Sequence, residues 1–276
     1  VSTVHDAATT DHGEPTIYDF VVVSTKQLPD VYSTASLVAP VITPSRTTVV
    51  LIQNGLDVEL PLIAAFPTNS IMSAVSMIGS STAGPNRVIQ IGADVLTIGP
   101  HFHDCGGRTK DDQLKTTKEF VDMYNEGLRD APTTALCSLT EDMPYARWHK
   151  LLWNGTFNTL CTLMRMDIGE LQSSRGRETL LIPMMWEVWN ISKAAGHLLV
   201  ESEIQRLAYR LPNDCRYRPS MLLDLENGRP LELEVILGNM LKRAKELGVE
   251  APIINTVYEL LKLEKWKMQR AAVPNR

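Results

Sequence analysis

TTVVLIQNG, residues 47–55, is the stretch that decides how the fold is read. Its apolar run VVLI has strand length, is β-branched at its start, and stops at Asn-Gly, a dipeptide that turns the chain. A run that is apolar on both faces belongs inside a sheet covered by helices. YDFVVVST (18–25) reads the same way, and between the two runs a helical segment around 28–40 is stopped by Pro40. Beyond them come a helix around 57–66 and short strands at 71–78, 87–92 and 95–99, the last two joined by Ala93-Asp94 as a hairpin turn. Strand, helix, strand, helix, strand predicts a parallel α/β layer with an antiparallel extension.

From Asp142 the grammar changes. Long helical periods are expected at 142–165, 173–195, 201–210, 220–247 and 252–270, broken at Gly196, Pro212, Pro219 and the segment Gly248–Pro252. The second half therefore reads as a helical domain, with the boundary near 130–141 around Pro132, giving domains at 1–139 and 140–276.

The bulk numbers exclude several classes. With 276 residues, 44% hydrophobic, 21% charged, 16 Gly and 16 Pro, the chain is neither collagenous nor low in complexity and can bury a sizeable core. Lys and Arg number 27 against 32 Asp and Glu, net −5, with no basic cluster, so nucleic acid is not an expected partner. Cys105, Cys137, Cys161 and Cys215 form no CxxC pair and read as reduced thiols in a cytoplasmic protein. No apolar stretch approaches the roughly 18 residues of a membrane span. The first twenty residues lack the basic and apolar regions of a secretory leader, and the chain begins with Val rather than Met, as a fragment does.

Candidate chemistry concentrates in WHKLLWNGTFNTL, 148–160. On an α-helix Lys150, Asn154 and Asn158 are spaced i, i+4, i+8 and drift by only about 40° per step, so a lysine and two carboxamides share one stripe. Leu151, Leu152, Phe157 and Leu160 flank it with apolar surface. A lysine partly desolvated there has its pKa lowered and suits proton donation near neutrality; the alternative is a solvated lysine and two asparagines on an outer face. Gln53-Asn54-Gly55 stands where a predicted strand ends, the place where open α/β sheets bind ligands, and is otherwise a plain Asn-Gly turn. Lys26 follows the other strand end and reaches either a ribose or phosphate, or solvent. SMLLDLENGRPLELEVILG (220–238) brings Ser220, Asp224, Glu232 and Glu234 together. The two glutamates lie about 200° apart on a helix, so only one faces a cleft. His101, His103 and Cys105 alternate in a loop, but without a further ligand no metal is expected there. Met184, Met185, Trp186 and Trp189 read as helix packing.

Taken in order, STKQ, VVLIQNG, the RVIQIG/LTIGP pair, WHKLLWNGTFNTL, GEL at 169–171, SMLLDLENGRPLELEVILG and GVEAPIINTVYELLK resemble the ketopantoate reductase (2-dehydropantoate 2-reductase) family over about residues 18 to 270. The resemblance implies a Rossmann-type NADPH domain followed by an all-α domain like that of 6-phosphogluconate dehydrogenases, and NADPH-dependent reduction of 2-dehydropantoate to pantoate in pantothenate biosynthesis. Carried over by position, Lys150 resembles the general acid and Glu232 the carboxylate that binds the substrate hydroxyl. Asn154, Asn158 and Ser220 resemble substrate contacts, and Asn54 and Lys26 cofactor contacts. A shift of two residues in the matching exchanges Glu232 with Glu234. A 2-oxo acid is the implied substrate, with a homodimer as the possible assembly.

One departure stands out. The family opens with a GxGxxG phosphate loop, and no GxGxxG occurs in this chain. YDFVVVST corresponds to roughly the fourth strand of the family's sheet. The expectation is therefore an N-terminally truncated, incomplete Rossmann domain lacking about 50–80 residues, with 18–25 as an apolar sheet edge and NADPH binding weak or absent. Two other readings remain open: a reductase of another branched 2-oxo acid, and a non-catalytic scaffold or dimerisation remnant.

Overall fold

The runs Phe20–Val23 (β1) and Thr48–Leu51 (β2) are parallel neighbours, Val21 opposite Val49, and β2 is buried at every residue. The computed structural model describes residues 3–9, 13–129 and 135–271; Pro132, at the expected boundary, lies outside them. Among the described residues the sheet has five strands in the order β1-β2-β3-β4-β5. β2 pairs in parallel with β3 (Ile71–Thr82), β3 antiparallel with β4 (Val88–Pro100), and β4 in parallel with β5 (Ala135–Leu139). Helices α1 (Val4–Ala7), α2 (Thr34–Val38), α3 (Leu60–Ala65) and α4 (Lys110–Gly127) accompany this sheet in the chain, with a 3₁₀ turn at Ala39–Val41. Val50, Met72, Ala74, Leu96, Ile98, Phe120, Val121 and Cys137 form its buried core, and Phe20 packs on Phe120 with centroids 5.2 Å apart.

The chain divides into two compact units. The first holds residues 1–26, 32–53 and 58–146, and the second 27–31, 54–57 and 147–276. The second unit thus takes in the loops that follow β1 and β2.

Three local readings are corrected. The helix expected from 28 begins only at Thr34, where the Ser33 hydroxyl caps it by accepting from the Ser36 N–H at 3.2 Å. The hairpin turn is Gly84-Pro85-Asn86, not Ala93-Asp94: Gly84 and Asn86 adopt φ of 101° and 57°, as a tight turn requires, whereas 93–94 stay inside β4. The pattern break read as a turn is a β-bulge, where the register shifts between Met77 and Gly79 and Gly92 takes φ 79°. Helix α4 was not expected at all. Thr109 and Asp112 start it with a reciprocal capping box, 3.1 and 2.9 Å. Its Asn125 side chain then pairs with both backbone groups of Cys137 in β5, 2.8 and 3.0 Å.

The second unit is helical. It runs through the rest of α5 (Met143–Trp153), a π-helical turn at Asn154–Asn158, α6 (Thr159–Met164), α7 (Ile168–Ser173), a second π turn at Arg177–Leu181 and α8 (Ile182–Ala194). α9 (Ser202–Ala208), α10 (Ser220–Glu226), a third π turn at Glu234–Gly238, α11 (Asn239–Leu247) and α12 (Pro252–Ala271) complete it. The expected helix over 220–247 is interrupted from Asn227 to Glu232, where Gly228 takes φ 64° and Pro230 follows. Gly169 of the GEL tripeptide has a steric reason: its N–H donates to the Cys215 carbonyl at 2.9 Å, and a Cβ there would sit 2.5 Å from that oxygen. Met184, Met185, Val188 and Ile191 of α8 are wholly buried, and the Trp189 indole donates to the Leu199 carbonyl at 2.8 Å, which is helix packing. Among the described residues no helix is long and apolar enough to cross a membrane. All four cysteines are free.

Glu187 ties α8 to the start of α12. Its two carboxylate oxygens accept from the Ile253 and Ile254 N–H groups at 2.9 and 2.8 Å, which supplies partners for two orphan donors of the first turn. Replacing Glu187 by Ala leaves both donors buried and unmet, and urea denaturation is expected to register a loss of about 2–3 kcal/mol, with Glu187→Gln losing less.

Candidate active site

The loop after β2 enters the helical unit and is fixed there by backbone. Leu56 N–H donates to the Val235 carbonyl at 2.8 Å, the Leu56 carbonyl accepts from Asn239 Nδ2 at 2.7 Å, and Arg243 holds Asp57 at 2.9 Å. Gly55, at φ 98°, lies so near Val235 that a Cβ would come within 2.5 Å of its Cβ and carbonyl oxygen. Only glycine satisfies both the dihedral and the approach. This docking presents Asn54.

Lys150, on α5, donates from Nζ to Asn54 Oδ1 at 2.7 Å, and Asn54 Nδ2 in turn donates to Glu232 Oε2 at 3.3 Å. The other carboxylate oxygen of Glu232 accepts from the Gln27 backbone N–H at 3.0 Å. Ammonium, amide and carboxylate thus form one chain of donors and acceptors, and Glu232 is only 8% exposed. Arg147, one turn before Lys150 and 4% exposed, donates from Nη1 to the Gly55 carbonyl at 2.9 Å. Burial of the ammonium, reinforced by the Arg147 charge and partly offset by Glu232, pulls the Lys150 pKa down to about 8.

The α-helical stripe expected for Lys150, Asn154 and Asn158 is altered, because 154–158 is a π turn that spreads these residues differently around the axis. Threonines satisfy the carbonyls around it: Thr159 Oγ1 donates to the Gly155 carbonyl at 2.8 Å and Thr156 Oγ1 to that of Leu152 at 2.5 Å. Asn154 and Asn158 are buried, at 6% and 3% exposure. Asn158 Nδ2 reaches Ser220 Oγ at 3.5 Å, while its Oδ1 is buried without a hydrogen-bond partner. Ser220 itself is exposed at the start of α10. The structure therefore gathers Lys150, Asn54 and Glu232 into one network and Asn158 with Ser220 into another contact. Lys26 stands one residue ahead of Gln27, its carbonyl accepting from the Tyr32 hydroxyl.

Glu232 and Glu234 part company, although not through helical spacing, because Glu232 stands in the irregular segment before the helix. Glu234 lies in the third π turn and accepts from the Tyr258 hydroxyl at 2.8 Å. The histidine loop has its own partners: His101 contacts Ser73 Oγ at 2.7 Å and Glu59 at 3.5 Å, and the ring nitrogens of His103 face the carbonyls of His101 and Asn69. Among the described residues no group of three or more His, Cys, Asp or Glu is placed to hold a metal ion. Sequence reasoning missed Arg147 and Gln27. The first was detectable as a charge three residues before Lys150 on the same face; the second contributes a backbone N–H, which residue type does not reveal.

A Rossmann-like N-terminal sheet domain followed by a helical C-terminal domain is the class this architecture defines. Two family profiles match, Ketopantoate reductase PanE/ApbA over residues 2–102 and Ketopantoate reductase PanE/ApbA C terminal over 142–265. A 2-dehydropantoate 2-reductase of Nostoc sp. is 30% identical over 223 residues, covering 81% of this chain and 67% of its own. An uncharacterised protein of Saccharomyces cerevisiae is 31% identical over 291 residues, covering 97% of this chain and 77% of its own. The crystal structure of 2-dehydropantoate 2-reductase from Methylococcus capsulatus aligns with a TM-score of 0.78 at 28% identity, covering 97% of this chain and 79% of that one. The chain belongs to the ketopantoate reductase PanE/ApbA family, a family of NAD(P)-dependent 2-oxo-acid reductases.

Gly55→Ala is the sharpest structural test of the loop that carries Asn54. Its unfavourable φ and the clash with Val235 are expected to cost at least about 2 kcal/mol in chemical denaturation.

Proposed function

We propose that this chain carries the proton-donating site of a reductase that converts 2-dehydropantoate to pantoate, with NADPH as reductant. The observation that supports this best is the partly desolvated Lys150 ammonium held 2.7 Å from the Asn54 amide, with Glu232 beyond it. Lys150 donates its proton to the ketone oxygen, and its charge lowers the energy of the developing alkoxide. Asn54 holds the ammonium in place until a substrate arrives. Glu232 spends one acceptor site on Gln27 and one on Asn54. An ionised carboxylate has about four, so it retains capacity for a substrate hydroxyl. Asn154, Asn158 and Ser220 orient the rest of the substrate, the unmet Oδ1 of Asn158 being a buried acceptor of the kind a ligand satisfies.

The residues present fit a nicotinamide dinucleotide only in part. Lys26 and Asn54 follow the ends of adjacent parallel strands, where such sheets bind ligands. No GxGxxG stands in the sequence to cradle a pyrophosphate with backbone N–H groups. When bound, the cofactor supplies the hydride. For the 276-residue chain, fluorescence titration is expected to give NADPH binding weaker than the micromolar range, and micromolar affinity would contradict that reading.

Activity is tested by offering a panel of 2-oxo acids at millimolar NADPH. Turnover of 2-dehydropantoate is expected, with Lys150→Ala lowering it by about 10²–10⁴-fold. Since the acid must be protonated to act, kcat/KM for reduction should fall as pH rises through about 8. Preference for a different branched 2-oxo acid would move the substrate assignment, and turnover insensitive to Lys150→Ala, or none with any 2-oxo acid, would overturn the proposal.

A further inference from the structure

We infer that Arg147 is a positioning residue for proton transfer at Lys150: its guanidinium clamps the Gly55 carbonyl, which holds the Asn54 amide against the ammonium, and its fixed charge favours release of the proton. The inference rests on the role proposed for Lys150. Arg147 and Lys150 are three residues apart on α5 and so project from one face of the helix. Arg147 is almost fully buried, and Nη1 reaches the Gly55 carbonyl at 2.9 Å, next to the residue that receives Lys150.

Two charged groups act on the ammonium in opposite senses. Glu232, from the segment before the third π turn, attracts the proton, and Arg147 repels it. Asp57, the acid of the loop that carries Asn54, is engaged by Arg243 at 2.9 Å, and His149 turns to Glu203 at 2.7 Å. A second cation beside a half-buried ammonium makes it the stronger acid, and here the same side chain also fixes the amide that orients it. The planar fork of arginine suits a buried clamp on a carbonyl better than a lysine does.

Arg147→Gln removes the charge and shortens the side chain below the reach of the Gly55 carbonyl, whereas Arg147→Lys keeps a charge at the end of a long side chain. The full chain is labelled with a small amine-acylating reagent across pH, and the Lys150 peptide is quantified by mass spectrometry. In Arg147→Gln the Lys150 midpoint should move up from about 8 toward 10.5, and in Arg147→Lys it should stay near that of the parent. In turnover assays Arg147→Gln should shift the alkaline limb of kcat upward and lower the plateau, because a weaker acid transfers its proton more slowly. If Arg147→Gln does not fold, Arg147→Met carries the same comparison. An unmoved midpoint in the neutral variants overturns the inference, whereas a moved midpoint in a chain that reduces no 2-oxo acid overturns the proposed reaction and leaves the electrostatic coupling standing.

Discussion

Placing an ammonium in a half-buried position is costly unless something receives its protons, and the helical unit is organised around meeting that demand at Lys150. The acceptor comes from far along the chain: Asn54 is 96 residues from Lys150 and 178 from Glu232. Because the amide must arrive in one orientation, its loop is fixed at Gly55 by Arg147 and just after it, at Leu56 and Asp57, by Val235, Asn239 and Arg243. Fixing the loop through its main chain, with the buried Arg147 as one of the donors, makes the ammonium's environment a property of the fold rather than of a mobile side chain.

Helix irregularity serves the same end. Two of the three π turns, Asn154–Asn158 and Glu234–Gly238, touch one another and carry or adjoin the polar residues of the candidate site. A π turn inserts one extra residue and re-aims the side chains within it, at the expense of regular backbone bonding, and here the hydroxyls of Thr156 and Thr159 make up part of that loss. The remaining one, Arg177–Leu181, holds a buried arginine among Gln172, Asn213 and the Tyr209 ring.

Strands were legible in the sequence where apolar residues ran on both faces, and Val49–Leu51 is buried as that pattern requires, but Val21–Val23, expected to be buried too, is not buried throughout, with Val22 49% exposed. Helix α4 was not, since half of its buried face is Gln113 and Thr117, which leaves little apolar periodicity to detect. The Thr109/Asp112 capping box was the signal available. Lys150, Asn54 and Glu232 were identifiable as candidates from motif order, but their hydrogen-bonded chain is tertiary and no spacing rule contains it. The π turn at Asn154 was equally hidden, because an i, i+4, i+8 pattern looks the same whether the helix is regular or has an inserted residue. Arg147 was overlooked for another reason: a cation beside a cation reads as surface unless burial is known.

An experimental structure of the chain soaked with a 2-oxo acid bears most directly on the central claim, that the ammonium at 150 faces the reducible carbonyl. The account requires the ketone oxygen within hydrogen-bond reach of Lys150 Nζ, about 2.7–3.2 Å, with Asn54 displaced or sharing the ammonium and Glu232 alongside. A ligand seated elsewhere in the molecule, with the Lys150–Asn54–Glu232 chain undisturbed, would contradict it.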